Sequence, residues 1–534
     1  MAEWRSDPET RTLERMTREG TGRSVAMAKL DADRQPVIVG VGEIKDRPSD
    51  PMQGLEPVAL IEAALRHAEA DAGARLLPQL DALDIVNVVS WRYADLPGLL
   101  SRRLGVKPSW QRHGEIGGQT PVQFIHEAAQ RIARGESAVA AVCGADASNT
   151  ATWSRRTGAT LPWTTQPEAA TAAADGWLPA RNRDYLHPMA RRHGLTEPIT
   201  VYPLYETATQ AAWGQTPAEG RTESAALWAR LSEVAAHNPN AWMQRAVGAD
   251  EIATVTAGNR PICWPYPKLM VANPAVNQGA AVLLTSLSVA RAAGIAEDRL
   301  VHIHGGAAAA EPKDWIQRDS FVHAAGQDAV LEAILRDVDG DASRFTALEL
   351  YSCFPVVPKM ARRLLGLADD VVPTMAGGLT FHGAPLNNYM THGAAAMVRA
   401  LRGHGGLGLL YGQGGYLTWH HGLILGSEPP ADDVVLRPFD LQASADQRRG
   451  AAPRIVETAE GAATVEAFTV VFKPDAQVDF GAVVLRLPDG ARTLARVPAD
   501  DAATLGVLMA PEQTPIGRTG HVSPGEAGLL RWEA

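Results

Sequence analysis

Cysteine thiols and histidine imidazoles are the side chains in this sequence with the clearest capacity for chemistry, since a thiol beside an imidazole is a common nucleophilic pair. The three cysteines, Cys143, Cys263 and Cys353, lie far apart and lack CxxC spacing. This spacing argues against a disulfide framework or a zinc knuckle and indicates a reducing compartment. Cys143 ends an apolar strand and is predicted to be a buried core residue.

Several imidazoles lie in the second half of the chain, near turns rich in glycine and asparagine. His382 precedes such a turn, His392 falls on the helix that follows it, and His420 stands next to His421. Any of them could serve as an acid or base in a pocket. Adjacent histidines also suggest a metal, but no carboxylate stands nearby at ligand spacing, so the sequence predicts no metal site.

Two glycine turns could supply backbone donors instead of side chains. One contains Gly118, and the other contains Gly414 and Gly415. Backbone N–H groups in such turns can bind an oxygen atom, as in an oxyanion hole. Gly118, Gly414, Gly415 and Asn387 are therefore the predicted ligand-binding positions.

The elements that must position these groups follow one order twice: a turn, a helix and a buried strand. In the first copy the helix is predicted over residues 121–134, with Thr120 as its N-cap, and the strand over 138–143. In the second copy the helix spans 389–401 and the strand 408–411. Helices alternating with buried strands predict a parallel sheet covered by helices, and the duplication predicts two similar stacked α/β halves.

Changes in composition and residue pattern along the chain divide it into further units. Alternating strands with turn signals near the C-terminus predict a small antiparallel barrel. The predicted units are a disordered leader (1–34), an N-terminal half (35–290) with an inserted loop domain (about 149–259), a C-terminal half (291–428) and the barrel domain (429–534).

Composition excludes several classes of function. The chain has 534 residues, a net charge of −10 and dispersed basic residues, so no face is built to neutralise a nucleic acid backbone. No stretch approaches the length of apolar residues needed to span a membrane. The sequence predicts a soluble, cytoplasmic protein without nucleic acid or membrane partners.

From about residue 36 to its end, the sequence resembles the thiolases, and most closely thiolase-like protein type 1, a group related to the sterol-carrier-protein thiolases. The motifs that carry the resemblance lie in five segments: 261–270, 277–281, 350–354, 377–381 and 412–416. The resemblance implies a duplicated five-layer α-β-α-β-α core, an inserted loop domain and a small C-terminal antiparallel β-barrel of the oligonucleotide/oligosaccharide-binding type (OB-like).

The resemblance also implies which catalytic positions are occupied. Alignment with the family places Gly118 where a thiolase has its nucleophilic cysteine and Ala384 where it has its histidine base. A third family cysteine corresponds to Tyr411 or Gly412. Cys353, in contrast, matches the catalytic thiol of the sterol-carrier-protein branch.

Three functions are compatible with these residues. The first is acyl transfer, or carbon–carbon bond cleavage on an acyl-CoA thioester, with Cys353 as the thiol and His382, His392 or His420 as the imidazole. The second is non-catalytic binding of acyl-CoA or an acyl chain, or service as a partner subunit. The third is hydrolysis by water held on the glycine turn. No permanently bound cofactor is predicted. The C-terminal domain is expected to cover the surface of the core or to engage a protein partner, and the chain to be a monomer or a homodimer.

Overall fold

The computed structural model describes residues 32–165, 185–430 and 434–534. The proposed leader lies outside these residues except for a 3-10 turn over Ala32–Arg34. The strands are β1 (Pro36–Lys45), β2 (Ala82–Ile85), β3 (Trp110–His113), β4 (Val139–Ala147), β5 (Pro261–Cys263), β6 (Tyr266–Pro267), β7 (Asn277–Ser286), β8 (Val301–Ala310), β9 (Phe345–Leu350), β10 (Leu407–Gly414), β11 (Trp419–Gly426), β12 (Gly461–Phe472), β13 (Val478–Arg486), β14 (Arg492–Pro498), β15 (Thr519–Pro524) and β16 (Leu530–Glu533).

The α-helices of the described residues are numbered separately from the strands, in chain order. They are α1 (Pro57–Ala72), α2 (Leu96–Leu104), α3 (Thr120–Arg134), α4 (Ser148–Thr157), α5 (Pro188–Arg192), α6 (Pro198–Ala212), α7 (Pro217–His237), α8 (Ala249–Ala253), α9 (Leu287–Ala292), α10 (Ala325–Arg336), α11 (Val356–Leu364), α12 (Tyr389–His404), α13 (Gln442–Arg448) and α14 (Ala502–Leu508). A π-helical turn, Gly378–His382, precedes α12. None of the helices in the described ranges is long and apolar enough to cross a membrane.

One nine-stranded sheet runs through both halves in the order β3-β2-β4-β7-β1-β8-β11-β10-β9. The first five strands belong to the N-terminal half and the last four to the C-terminal half. The halves meet where β1 pairs with β8 over two residues, Val37 with His302 and Ile38 with Val301. Strand β1 is rich in Val and Ile and almost entirely buried, as expected for a central strand.

Helices cover both faces of this sheet and fill the space between the halves. Helix α1 packs on β1, β4 and β7, α10 packs on β8 and β11, and α3 and α12 contact strands of both halves. The helix-covered core confirms the predicted thiolase-like α/β architecture. The prediction of a parallel sheet is wrong for its centre, because β2 pairs in parallel with β3 and β4, and β9 with β10, but all neighbours in the order from β4 to β10 are antiparallel. The close contact of α1 with β1 requires glycine, because a Cβ at Gly40 would lie 2.1 Å from the carbonyl oxygen of Ala68.

The C-terminal segment forms the predicted small barrel. Strands β12, β13, β14, β16 and β15 close on themselves, and all neighbours are antiparallel except β14 and β16. Its interior is apolar and includes Phe468, Val483 and Trp532. Strands β5 and β6, which follow the predicted loop domain within the N-terminal half, extend the barrel sheet beside β12. The domain boundaries drawn from the sequence stay a prediction.

Candidate functional site

Gly118 lies directly before α3, between the two halves. A Cβ built at Gly118 would lie 2.4 Å from both the Tyr351 hydroxyl oxygen and the Gln413 carbonyl oxygen. Real Cβ atoms do not approach other atoms so closely, so any side chain here must displace a neighbour. The position that the family resemblance assigns to a nucleophile therefore has no room for one.

Gly414, at the end of β10, lies beside Gly118. A Cβ at Gly414 would be 2.1 Å from the Gln119 Oε1 atom and 3.0 Å from the Gly118 nitrogen. Gln119 Oε1 is buried and has no hydrogen-bond partner. A buried acceptor without a partner is costly, so a hydrogen-bond donor brought to Gln119 Oε1 would stabilise this cradle of glycine backbone and side-chain amide.

Asn387 holds the same region together from the C-terminal half. Its Oδ1 accepts a hydrogen bond from the Gly117 backbone N–H at 3.0 Å, and its Nδ2 donates to the Asn87 carbonyl oxygen at 3.2 Å. The Oδ1 atom thus fixes the turn before α3, and the Nδ2 atom joins Asn387 to the segment after β2. Gly415 lies next to the cradle, with its carbonyl oxygen accepting from the Tyr202 hydroxyl at 2.9 Å.

Cys353 lies between β9 and α11, near the cradle. Its thiol is 3.9 Å from Gln413 Oε1, and the residue is 8% exposed. Burial raises the pKa of Cys353 to about 12, although hydrogen bonds from the Tyr202 hydroxyl and the Phe354 backbone N–H act in the opposite direction. Within the described ranges, no imidazole hydrogen bonds to this sulfur.

His420 and His421 lie on opposite faces of β11. The His420 Nδ1 atom is 2.6 Å from the Tyr411 hydroxyl, and its Nε2 is 3.2 Å from the Leu417 carbonyl oxygen. The His421 Nε2 atom is 3.0 Å from His126 Nδ1 on α3. Burial lowers the pKa of His420 to about 3, so its ring is neutral at pH 7. The two adjacent histidines therefore do not face a common point.

His382 and His392 lie together with a carboxylate from β1. Glu43 Oε1 is 2.6 Å from His392 Nδ1 and 4.0 Å from His382 Nε2. Burial alone would raise the pKa of Glu43, but the hydrogen bond to His392 and the charge of Arg399 lower it to about 2. The structure thus places the sequence-predicted side chains in three groups: Cys353 near the glycine cradle, His420 beside Tyr411, and His382 with His392.

Several residues of these groups are not among the sequence predictions. Tyr351 is a large aromatic residue in the motif that contains Cys353, and Gln413 stands inside the glycine turn. Glu43 offers the clearest signal, since it is the carboxylate in a strand that is apolar up to that residue. Gln119 and Tyr202 carry no local signal, because only the packing of α3 and α6 against β10 brings them to the site.

The sequence matches a family model over residues 440–527, that of the thiolase-like protein type 1 additional C-terminal domain. No curated protein matches the chain. Among solved structures, it is similar to a monomeric SCP2-thiolase-like protein type 1 from Mycobacterium smegmatis, with 30% identity and a TM-score of 0.76. That similarity covers 94% of this chain and 99% of the other.

Two more distant structures share the fold of the core. An Ltp2-ChsH2(DUF35) aldolase is 19% identical, with a TM-score of 0.55, over 74% of this chain and 98% of its own. A human mitochondrial 3-ketoacyl-CoA thiolase in complex with CoA is 15% identical, with a TM-score of 0.53, over 75% of this chain and 100% of its own. At these identities the likeness concerns the fold alone.

Proposed function

The chain belongs to the SCP2-thiolase-like proteins of type 1, and from that premise we propose that it binds an acyl-CoA thioester between its two halves without performing thiolase chemistry. The observation that carries this proposal is the packing around Gly118. A nucleophile at this position would collide with the Tyr351 hydroxyl and the Gln413 carbonyl oxygen, each 2.4 Å from an ideal Cβ.

The absence of a base supports the same conclusion. Ala384 stands where the family resemblance expects a histidine, and its methyl group can neither accept nor donate a proton. Ala384 is 4% exposed, and its backbone N–H donates to the Asn273 carbonyl oxygen at 2.9 Å. Without a nucleophile at position 118 and a base at position 384, the chain cannot form and break down an acyl-enzyme by the thiolase route.

Binding is supported by the cradle around Gly118 and Gly414. Gln119 Oε1 is a buried acceptor without a partner, and an amide N–H of a pantetheine arm would supply the missing donor. A structure of the same fold is described as a complex with CoA. The ligand in this proposal is bound transiently, and no permanent cofactor is involved.

Calorimetric titration with CoA, acetyl-CoA and longer acyl-CoA thioesters tests the proposal. Saturable binding is expected, together with no thiolysis of acetoacetyl-CoA above the uncatalysed rate. Ala384→Leu should weaken binding by adding bulk at the position where the family resemblance expects the catalytic histidine, whereas Ala293→Leu, at an exposed position, should not. Failure of the folded protein to bind any of these thioesters would overturn the proposal, as would robust thiolysis.

A second candidate, acyl transfer or carbon–carbon bond cleavage through Cys353, has one specific observation in its favour. The Tyr202 hydroxyl and the Phe354 backbone N–H lower the pKa of the Cys353 thiol, although the Tyr202 hydroxyl also donates to Gln413 Oε1 and to the Gly415 carbonyl oxygen. Burial opposes them and raises the pKa of Cys353 to about 12. This route therefore requires a ligand to change the surroundings of the thiol.

Alkylation separates the two candidates. In the native protein, iodoacetamide should modify Cys353 no faster than the fully buried Cys143, with or without acyl-CoA. Mass spectrometry of peptides measures the relative rates, and unfolded protein shows that both thiols can react. Selective labelling of Cys353, together with loss of acyl-CoA turnover in Cys353→Ser, would support acyl transfer instead.

We further propose that the protein works as a monomer in the cytoplasm. The related protein from Mycobacterium smegmatis is described as monomeric. All three cysteines are free and buried, which suits a reducing compartment. The proposal includes a protein partner that binds the surface of the C-terminal barrel, and co-purification tests for it.

A further inference from the structure

A buried cluster of Glu43, His382 and His392 lies where the two halves meet. The three side chains come from β1, the π-helical turn and α12, and each is at most 1% exposed. One ligand atom from each lies within 4.8 Å of the others. We propose that this cluster binds a divalent transition-metal ion of the Zn²⁺ type, a site that does not depend on the proposed acyl-CoA binding.

The hydrogen bonds around His382 orient it for this role. Its Nδ1 lies 3.2 Å from the Ala376 carbonyl oxygen and 3.3 Å from Asn238 Nδ2. In the tautomer that carries its proton on Nδ1, the ring donates to that carbonyl and Nε2 has the lone pair that a metal needs. That Nε2 atom is buried and has no hydrogen-bond partner. Metal-binding histidines are held in this way, with one nitrogen bonded to a carbonyl or carboxylate and the other directed at the ion.

His392 and Glu43 are close enough to complete the ligand set. In a tetrahedral zinc site, ligand atoms about 2.0–2.1 Å from the ion lie roughly 3.3 Å apart. The distances from Glu43 Oε1, 2.6 Å to His392 Nδ1 and 4.0 Å to His382 Nε2, lie on either side of that value. An ion would replace the proton between Glu43 and His392, and the neutral His392 ring would then carry its proton on Nε2, which is also without a partner.

The second oxygen of Glu43 is held by groups outside the cluster. Arg399 forms an ion pair with Glu43 Oε2, and Asn240 Nδ2 donates to the same atom at 3.0 Å. Lys45 also lies near, but its ammonium group donates to the Ala241 carbonyl oxygen and to Gln244 Oε1. These cations reduce the affinity of the cluster for any positive ion. Two imidazoles and one carboxylate favour a metal that binds nitrogen ligands, such as Zn²⁺, rather than Mg²⁺ or Ca²⁺, which bind oxygen ligands.

The experiment measures metal in the full chain, produced without a polyhistidine tag from zinc-supplemented cultures. Because the ligands are buried, the ion is expected to enter during folding and to exchange slowly. Elemental analysis should find about one zinc ion per chain. Glu43→Gln, His382→Gln and His392→Gln should each lower zinc occupancy by about tenfold or more.

The matched control is His126→Gln, which alters another buried imidazole that pairs with His421 and not with a carboxylate. This variant should keep its zinc. Cobalt-supplemented cultures give a readout independent of any variant, because Co²⁺ bound by imidazole and carboxylate shows visible absorption. Folded wild-type protein without zinc and without the cobalt spectrum would overturn the proposal, and so would zinc that persists in all three variants or is lost in the control.

Discussion

Gly118 shows at the scale of one residue why restoring a family's catalytic side chain does not restore its reaction. We expect Gly118→Cys to destabilise the protein by about 1–3 kcal/mol, because the added Cβ is forced against Tyr351 and Gln413. We also expect no thiolysis from this variant. Urea unfolding and a thiolysis assay measure the two effects.

The control for this substitution is Gly506→Ala in α14, where an added Cβ meets nothing within 4 Å. It should leave stability unchanged or raise it by up to about 1 kcal/mol, because alanine favours a helix. A fully stable Gly118→Cys protein that forms an acyl-enzyme would show that the closed packing around Gly118 is wrong.

A buried imidazole gives the protein a specific pH dependence. Burial lowers the pKa of His126 to about 3, whereas an unfolded histidine titrates near 6.5. Between these values the unfolded chain binds more protons at this site, so its stabilising contribution is complete above pH 6.5 and declines as the pH falls. His126→Gln should therefore flatten the slope of unfolding free energy against pH, by about 1.4 kcal/mol per pH unit at most.

Chemical unfolding between pH 4 and pH 7 measures this slope, and not the absolute stability, which the substitution also changes. His237→Gln is the comparison, because His237 is exposed on the last turn of α7. An equal change of slope in both variants would mean that burial of His126 is not the cause.

At the scale of elements, the sequence predicted those helices and strands whose pattern is local. The strands predicted over 138–143 and 408–411 became β4 and β10, and the duplicated helices became α3 and α12. The predicted cap of α3 was displaced by one residue, since Gln119 occupies the cap position and Thr120 begins the helix. The joining of β5 and β6 to the barrel could not be predicted, because two short strands carry no signal for a distant partner.

The same limit applies to the candidate site. Cys353 and the glycine turns could be identified from local motifs, and Cys143 is buried as predicted. Which histidine meets which carboxylate depends on long-range pairing: Glu43 and His392 are 349 positions apart. A search for carboxylates near His420 in sequence therefore could not find the cluster around His382.

Arg492 on β14 fastens the barrel to the core. Its side chain is fully buried and donates to Glu466 and to the Ile316 and Arg318 carbonyl oxygens. Arg492→Met should cost about 3–5 kcal/mol, because it leaves the Ile316 and Arg318 carbonyl oxygens without this donor and leaves Glu466 paired with Arg486 alone. Chemical unfolding measures this loss. The exposed pair of Arg454 and Asp489 is the control, and Arg454→Met should cost less than about 1 kcal/mol. Similar small losses in both variants would contradict the fastening role.

At the scale of the whole molecule, the barrel covers a surface that the core does not cover by itself. Helix α6 packs against β12, and Thr207 exchanges hydrogen bonds with both the Phe468 carbonyl oxygen and its N–H, at 3.0 and 3.2 Å. Strand β5 continues the barrel sheet through the pairing of Cys263 with Val471. The edge of β5 and one face of α6 are therefore covered by the C-terminal domain.

Removal of the barrel should consequently expose an unpaired strand edge and an apolar helix face, both of which favour association. We expect a chain that ends at residue 430 to aggregate or to form mixed oligomers, whereas the full chain is expected to be a single species. Light scattering after size exclusion measures the difference. Co-expression of residues 434–534 as a separate chain should restore a soluble complex, because the barrel has its own apolar interior and closed strand order. A truncated core that remains monomeric with unchanged thermal stability would show that the barrel is an appendage and not part of the folded core.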